Sequence, residues 1–180
     1  MTSQQFSIHQ QSKLDNALVE QLLDRAFGLD RRTKSSYRLR EGQTAVDGLS
    51  FIARNSAGSI IGTISFWNIH LGQEGTKAIL LGPLAVEPDQ QATGVGLALM
   101  RHGITAAKQA SHKLVILIGD APYYAKVGFK QVPLNTLQMP GANDPKRLLY
   151  LELEKGAFIT PNGTEPSGLI RSPSRWDARP

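Results

Sequence analysis

Apolar residues along the chain switch between two spacings, and each switch marks an element. Phe6 to Gln10 reads as a short first strand. Behind Ser12 and Asp15, a capping-box pair, Leu14, Leu18 and Leu22 recur at helical spacing, and Gly28 suits a C-cap. A first helix is therefore expected from about Lys13 to Phe27, with a second, looser helix after it. From Val46 the spacing falls to two. Leu49, Phe51 and Ala53 alternate with Ser50, Ile52 and Arg54, and Asn55-Ser56-Ala57-Gly58 turns the chain. Ile60, Gly62, Ile64 and Phe66 continue as a partner strand. Gly72 to Gly75 turns again, and Ala78 to Val86 completes an antiparallel meander. Pro83 cannot donate to a ladder, so Gly82-Pro83 implies a bulge or a lost pairing. A strand freed there offers its backbone to a ligand carrying amides.

Gly94 to about Ser111 returns to helical spacing. Leu97, Met100, Ile104 and Ala107 make an apolar stripe, and Arg101, Thr105, Lys108 and His112 a polar one. Leu114 to Ile118 is a continuous apolar run, as in a strand covered on both faces. Pro122 to Lys126 suits a short helix, and strands near Lys130–Leu134 and Arg147–Glu154 would complete the sheet. After Gly156 the composition shifts to Pro, Gly and Ser, which divides the chain into a domain over 1–155 and a tail over 156–180. The tail holds only Phe158, Ile159, Leu169, Ile170 and Trp176 to bury against the domain or a partner.

Composition narrows the classes without choosing one. The 180 residues, 41% hydrophobic and 19% charged, suit one soluble domain. No apolar run approaches the ~20 residues that cross a bilayer, so no membrane role is expected. The polar start and the absence of cysteine point to a reducing cytoplasm and remove thiolate chemistry. The net charge is +5, and Arg31, Arg32, Lys34, Arg38 and Arg40 crowd one acid-free window. A solvated helix face is the favoured reading, and a surface for an acidic substrate or phosphate the sharper one. No nucleic-acid motif accompanies the cluster, so no nucleic-acid partner is expected. No metal-ligand spacing is present either, and no metal is expected.

The chemistry concentrates between Leu84 and Phe129. Gly94 and Gly96 put bare amides at a helix start, where the macrodipole attracts a pyrophosphate. A dinucleotide fingerprint is rejected, because Leu99 stands where its third glycine or alanine belongs and the preceding meander is not a parallel βαβ unit. Three motifs occur instead in order: Leu84-Ala85-Val86-Glu87-Pro88, Gln91-Ala92-Thr93-Gly94-Val95-Gly96, and Tyr124 to Phe129 as Tyr-x-x-x-Gly-Phe. Together they resemble the GNAT superfamily of acetyl-CoA-dependent N-acyltransferases. With Gly119-Asp120-Ala121-Pro122-Tyr123-Tyr124, they look most like its YhbS-type predicted acetyltransferases. The resemblance runs from Lys13 to about Glu154.

It implies an α+β GNAT fold, a mixed central sheet of about six to seven strands splayed between strands 4 and 5 and flanked by helices. It implies acetyl-CoA as acyl donor and a primary amine of a small molecule or protein as acceptor, joined by direct attack in a ternary complex. Leu84, Ala85 and Val86 would run beside the pantetheine, with Leu84 and Val86 pairing its amides. Gln91, Ala92, Thr93, Gly94, Val95, Gly96 and Leu97 would form the pyrophosphate loop. An N–H near Leu84 would hold the thioester oxygen, and Tyr124 would protonate the departing thiolate, with Tyr123 as its packing neighbour. Lys126 and Lys130 are candidate 3′-phosphate contacts. Glu41, His70 and Asp120 are candidate bases, since the strand from Ala78 to Val86 carries no acid. The fold would line its acceptor cleft with the first two helices and the Asn135–Lys146 connection, and the Trp176 tail is the candidate contact for a homodimer. The rival reading is a non-catalytic acyl-CoA-binding regulatory or interaction module.

Overall fold

The structure, a computed structural model, describes residues 6–177 apart from the Trp176 side chain, so the dimer contact expected there lies outside the described residues. Strands β1 (Phe6–Gln10), β2 (Ser50–Asn55), β3 (Ile60–Leu71), β4 (Thr76–Val86), β5 (Leu114–Ile118), β6 (Lys130–Gln131), β7 (Leu137–Gln138), β8 (Leu148–Glu152) and β9 (Gly168–Leu169) alternate with helices. These are α1 (Asn16–Phe27), α2 (Ser35–Arg40), α3 (Val95–Gln109), α4 (Ala121–Ala125) and α5 (Pro173–Asp177). Seven strands form one sheet in the order β1-β2-β3-β4-β5-β8-β6, antiparallel except where β4 meets β5, and β7 pairs with β9 in a separate two-stranded sheet. No helix among the described residues is long and apolar enough to cross a membrane.

The Gly82-Pro83 bulge organises the sheet. Leu81 lies opposite Phe66 and Leu84 opposite Ile64, so Gly82 and Pro83 together face the single residue Ser65. Two residues against one invert the pleat beyond that point. Ahead of the bulge Ile79 and Leu81 pack towards α3; beyond it Leu84 and Val86 take that face, and Ala85 joins the core under α1. The α3 face is a large cluster with Leu99, Met100, Phe66 and Leu117 at its centre. The opposite face is split. Val19, Leu22 and Leu23 of α1 cover one part with Ile52 and Ala85, while Ile69, Leu80, Ile116, Phe158 and Ile170 fill another.

Two details depart from the sequence pattern. On α1 the buried stripe is Val19, Leu22 and Leu23, whereas Leu14 is 92% and Leu18 48% exposed. A strict four-residue repeat drifts off a 3.6-residue period, and the i, i+3, i+4 set is the one that faces the sheet. In β2, Ile52 is as buried as its neighbours Phe51 and Ala53, because helices cover the sheet on both sides. The cap ahead of α1 forms as expected: the Asp15 carboxylate accepts from Ser12 N and Oγ, each at 2.8 Å, and pairs with Arg54 at 2.5 Å. The Ser12 bonds foremost, with Arg54 helping, hold its pKa below the usual carboxylate value.

Residues beyond 155 pack onto the domain. The Phe158 ring stacks on Tyr150 with centroids 4.0 Å apart, β9 pairs with β7, and Arg171 exchanges two main-chain hydrogen bonds with His70, both 2.9 Å.

Candidate functional site

The β4–β5 ladder is short. Only Ile79–Val115 and Leu80–Ile116 pair, so β4 runs on from Leu81 to Val86 with no strand among the described residues on its β5 side. Which residues address that gap follows from the ladder on the other side. The Glu87 N–H donates to the Ile61 carbonyl at 2.9 Å, making that opposed pair hydrogen-bonded. Alternation in an antiparallel ladder then ties Ala85 to Thr63 and turns the N–H and C=O groups of Leu84 and Val86 into the gap. Ala85 has its main chain committed to β3 and its side chain in the α1 core.

The gap leads to the mouth of α3. Ala92 has a φ of 66° and Gly94, the residue before the helix, a φ of 91°, so the chain reverses sharply over Gln91–Gly94. A left-handed backbone of this kind costs a residue with a Cβ roughly 1–2 kcal/mol. The first helical bond runs from the Ala98 N–H to the Gly94 carbonyl at 3.0 Å, leaving the amides of Val95, Gly96 and Leu97 ahead of the ladder. Gly62 of β3 seats this turn: a Cβ there would lie 2.8 Å from both Val95 Cγ1 and Leu99 Cδ1. Amides and helix dipole together make a cradle for a phosphate-like anion.

Two tyrosines on α4 close the gap from the β5 side. Tyr123 reaches across it; a Cβ on Gly96 would meet its hydroxyl at 2.7 Å, and Val86 lies alongside. Lys126 at the end of α4 places its ammonium 5.5 Å from the Tyr123 ring centre, so it stands beside the same mouth. Tyr124 is seated deeper, its ring over Gly119, where a Cβ would lie 2.2 Å from Cε2, and edge-on to Phe129. Burial, helped by Tyr123, pushes its pKa up to about 12; burial raises Tyr123 as well. Among the described residues neither hydroxyl has a hydrogen-bond partner within the chain.

The reverse face of the bulge opens into a cleft of about 940 Å³, lined by α1, α2, the Glu41–Gly48 loop, Ser65, Trp67 and Pro83. The residues of β3 that line it, Ser65 and Trp67, follow one another at period two. The Trp67 indole N–H donates to the Gly82 carbonyl at 2.6 Å, binding the cleft wall to the bulge. Of the three candidate bases only Glu41 lines this cleft. His70 lies further along β3 with its ring Nδ1 at 3.1 Å from the Gly75 carbonyl, and Asp120 stands exposed ahead of α4. Residues 135–146 do not line it, contrary to expectation: Gly141 backs onto the Arg38 guanidinium instead, and β7 is drawn away into its pairing with β9. Arg31, 1% exposed, is a structural hub that donates to Glu20 at 2.5 Å, Asp24 at 2.8 Å and the Tyr37 hydroxyl. Among the described residues no group of three or more His, Cys, Asp or Glu is placed to hold a metal.

A mixed sheet parted beside an amide-lined helix mouth, with a cleft behind the parting, is the architecture that the three sequence motifs imply. Known proteins agree. The acetyltransferase (GNAT) domain profile matches residues 47–131. Over 132 residues the chain is 33% identical to the uncharacterised N-acetyltransferase YjhQ of Escherichia coli strain K12, covering 72% of each sequence. The chain belongs to the GNAT family of acetyltransferases. Its fold is similar to that of YhbS from Escherichia coli, solved in complex with CoA, with a TM-score of 0.77 and 22% identity over 98% of this chain and 94% of that one. It is also similar to a GNAT acetyltransferase from Brucella melitensis solved in complex with acetyl-CoA, at a TM-score of 0.68 and 22% identity over 96% of this chain and 98% of that one.

Proposed function

We propose that the protein transfers an acetyl group from acetyl-CoA to a primary amine by direct attack within a ternary complex. The observation that carries this reading is the convergence of two openings on one bulge. On the α3 side are the free main-chain groups of Leu84 and Val86 and the helix-mouth amides; on the other side is the cleft behind Pro83. The two substrates would approach from opposite faces and meet there, so positioning would supply much of the rate.

Acetyl-CoA brings the activated acetyl group as a thioester. The residues Gln91 to Leu97 would hold its pyrophosphate through their amides, with Lys126 beside them, and Leu84 and Val86 would take the pantetheine amides as an added strand does. An N–H near Leu84 would hold the carbonyl oxygen as charge builds on it. Tyr124 is the group for the sulfur. Its hydroxyl near 12 lies above a thiol's ~8.5, so full proton transfer is uphill; it would act by donating a strong hydrogen bond to the departing thiolate. The acceptor must attack as the free amine, and Glu41 is the candidate carboxylate in the cleft to receive its proton through water. A cysteine-free chain fits the reducing cytoplasm, where we place it.

The test is free-thiol release from acetyl-CoA across pooled amines and peptides, with calorimetric titration of CoA. Thiol release that depends on an amine supports the proposal. Absence of CoA binding overturns it, and CoA binding without thiol release over a broad panel favours a binding module.

A further inference from the structure

The basic window that the sequence leaves between two readings is divided by the structure. Arg31 is consumed by Glu20, Asp24 and Tyr37, and the exposed Arg32 shares Glu20 at 3.0 Å. Lys34 lies over the Phe27 ring. Arg40 is different. Its guanidinium enters the cleft stacked on the Tyr37 ring, 3.9 Å from the centroid, with the Trp67 ring at 5.9 Å. Nε donates to the Ser36 carbonyl at 3.2 Å and Nη2 to Ser36 Oγ at 3.0 Å. Among the described residues no carboxylate comes within 4.0 Å of it; of the cleft acids, Glu20 is paired with Arg31 and Arg32 and attracts Arg40 only at longer range, Glu41 is paired with Arg175 at 3.7 Å, and Asp47 makes no ion pair. Desolvation is strong enough to draw the Arg40 pKa down to about 10, and it is still a cation at neutral pH.

A half-buried guanidinium with no carboxylate in contact has an unmet preference for an anion, which a ligand can supply. Its planar face lies on the Tyr37 ring and Ser36 holds Nε and Nη2, so the guanidinium is fixed in place where it faces the cleft. That arrangement suits end-on or forked capture of a carboxylate or phosphate. The distance to the chemistry is short. The Trp67 ring centre lies 5.9 Å from the Arg40 guanidinium carbon, and its indole N–H donates to the Gly82 carbonyl of the bulge, so the cation sits about one indole away from the proposed transfer point. A cleft of about 940 Å³ is the size of a small-molecule site.

We propose that the acceptor is a small amine carrying an anionic group, a carboxylate or a phosphate, within a few bonds of its nitrogen, and that Arg40 is the residue that receives that group. This deepens the acetyltransferase reading and rests on it. Tyr37 and Trp67 are positioning residues that hold the guanidinium flat. Matching the anion to the cation orients the amine towards the bulge and selects against the neutral analogue, which would leave the half-buried Arg40 without an anion in contact.

The experiment compares kcat/KM for amino acids and aminoalkyl phosphates with that for their amides and the corresponding aminoalcohols, using acetyl-CoA and wild-type protein. Anionic acceptors are expected to exceed their neutral partners by about 10- to 100-fold, the range for a hydrogen bond to a charged group. The carboxylate and phosphate arms decide which anion is used. Arg40→Gln is expected to erase the preference by raising KM with little change in kcat, and Arg40→Lys to restore only part of it. A second readout needs no turnover: succinate or inorganic phosphate, titrated into the CoA complex, is expected to change Trp67 fluorescence saturably in the wild type and not in Arg40→Gln, with Trp67→Phe as the control. Equal use of neutral and anionic amines, or no saturable response in the wild type, overturns the inference while CoA binding leaves the acetyltransferase reading standing. Loss of CoA binding itself would count against that reading instead.

Discussion

At the scale of single residues, the pair Tyr123–Tyr124 separates two jobs that adjacent identical side chains can be given only by their surroundings. The motif Tyr-x-x-x-Gly-Phe singles out Tyr124 in the sequence; the notch that seats it, made by the missing Cβ of Gly119, carries no sequence signal of its own. Tyr123 lies across the gap at Gly96 instead, a placement that depends on α4 meeting α3 in space. Tyr124→Phe is expected to lower kcat by about 10- to 100-fold with CoA affinity unchanged, the loss of one hydrogen bond to a developing thiolate. Tyr123→Phe is expected to alter CoA affinity more than kcat. Steady-state kinetics on both variants with calorimetric CoA titration separate the roles, and unchanged turnover in Tyr124→Phe removes its assignment. The pH dependence has a definite sign. A tyrosine whose folded pKa is raised to about 12 keeps its proton in the folded state and contributes no penalty below the unfolded value near 10. Stability is lost as pH rises through the window from about 10 to about 12, and alkaline melting of Tyr124→Phe is expected to lack that component.

At the scale of elements, the bulge in β4 and the mouth of α3 place the proposed donor site, and they differ in legibility. Gly82-Pro83 announces an interruption, because a proline without an N–H has no place inside a ladder. The consequence, an inverted pleat that sends Leu84 and Val86 to the α3 face, follows only from the register against β3. The capping box at Ser12 and Asp15 is equally legible, but the stripe of α1 is not, since Leu14 and Leu18 satisfy a helical spacing while Leu14 lies exposed in the turn ahead of the helix and Leu18 on its exposed side. The helix mouth is held by a contact the motif does not contain. Gly62 lies remote in sequence from the loop, yet a Cβ there would press on Val95, Leu99 and the Ala85 carbonyl. Gly62→Ala is therefore expected to destabilise the fold by about 1–3 kcal/mol by overpacking and to weaken CoA binding by lifting the first turn of α3. Chemical denaturation and CoA calorimetry check it; a variant with wild-type affinity would show that the loop is set by Gly94 and Gly96 alone.

At the scale of the whole molecule, the composition of the last segment argues for a loose tail, and its burial argues otherwise. Proline, glycine and serine dominate residues 156–177, so summed hydrophobicity is low, but what packs is decided by a few positions. Phe158, 2% exposed, stacks on Tyr150, and Ile170 is fully buried beside Ile69 and Leu80; both belong to the core on the part of the sheet face away from α3 that α1 leaves uncovered. Without them the strands β3, β4 and β5 would present an apolar face to water next to the proposed acceptor cleft. Large-to-small changes in such a core cost the transfer energy plus the cavity, so Phe158→Ala is expected to lose about 3 kcal/mol, a large share of a typical domain's 5–15 kcal/mol. The α3 side, where the proposed donor site lies, is packed by a different cluster around Leu99 and Met100, to which none of the described residues beyond 155 belongs. Phe158→Ala is thus expected to melt early yet to bind CoA with unchanged affinity at temperatures where it stays folded, while a chain ending at Lys155 is expected not to fold. Thermal melting beside CoA titration at low temperature separates the two faces. A chain ending at Lys155 that melts like the full-length protein would show that the second core closes without its last segment.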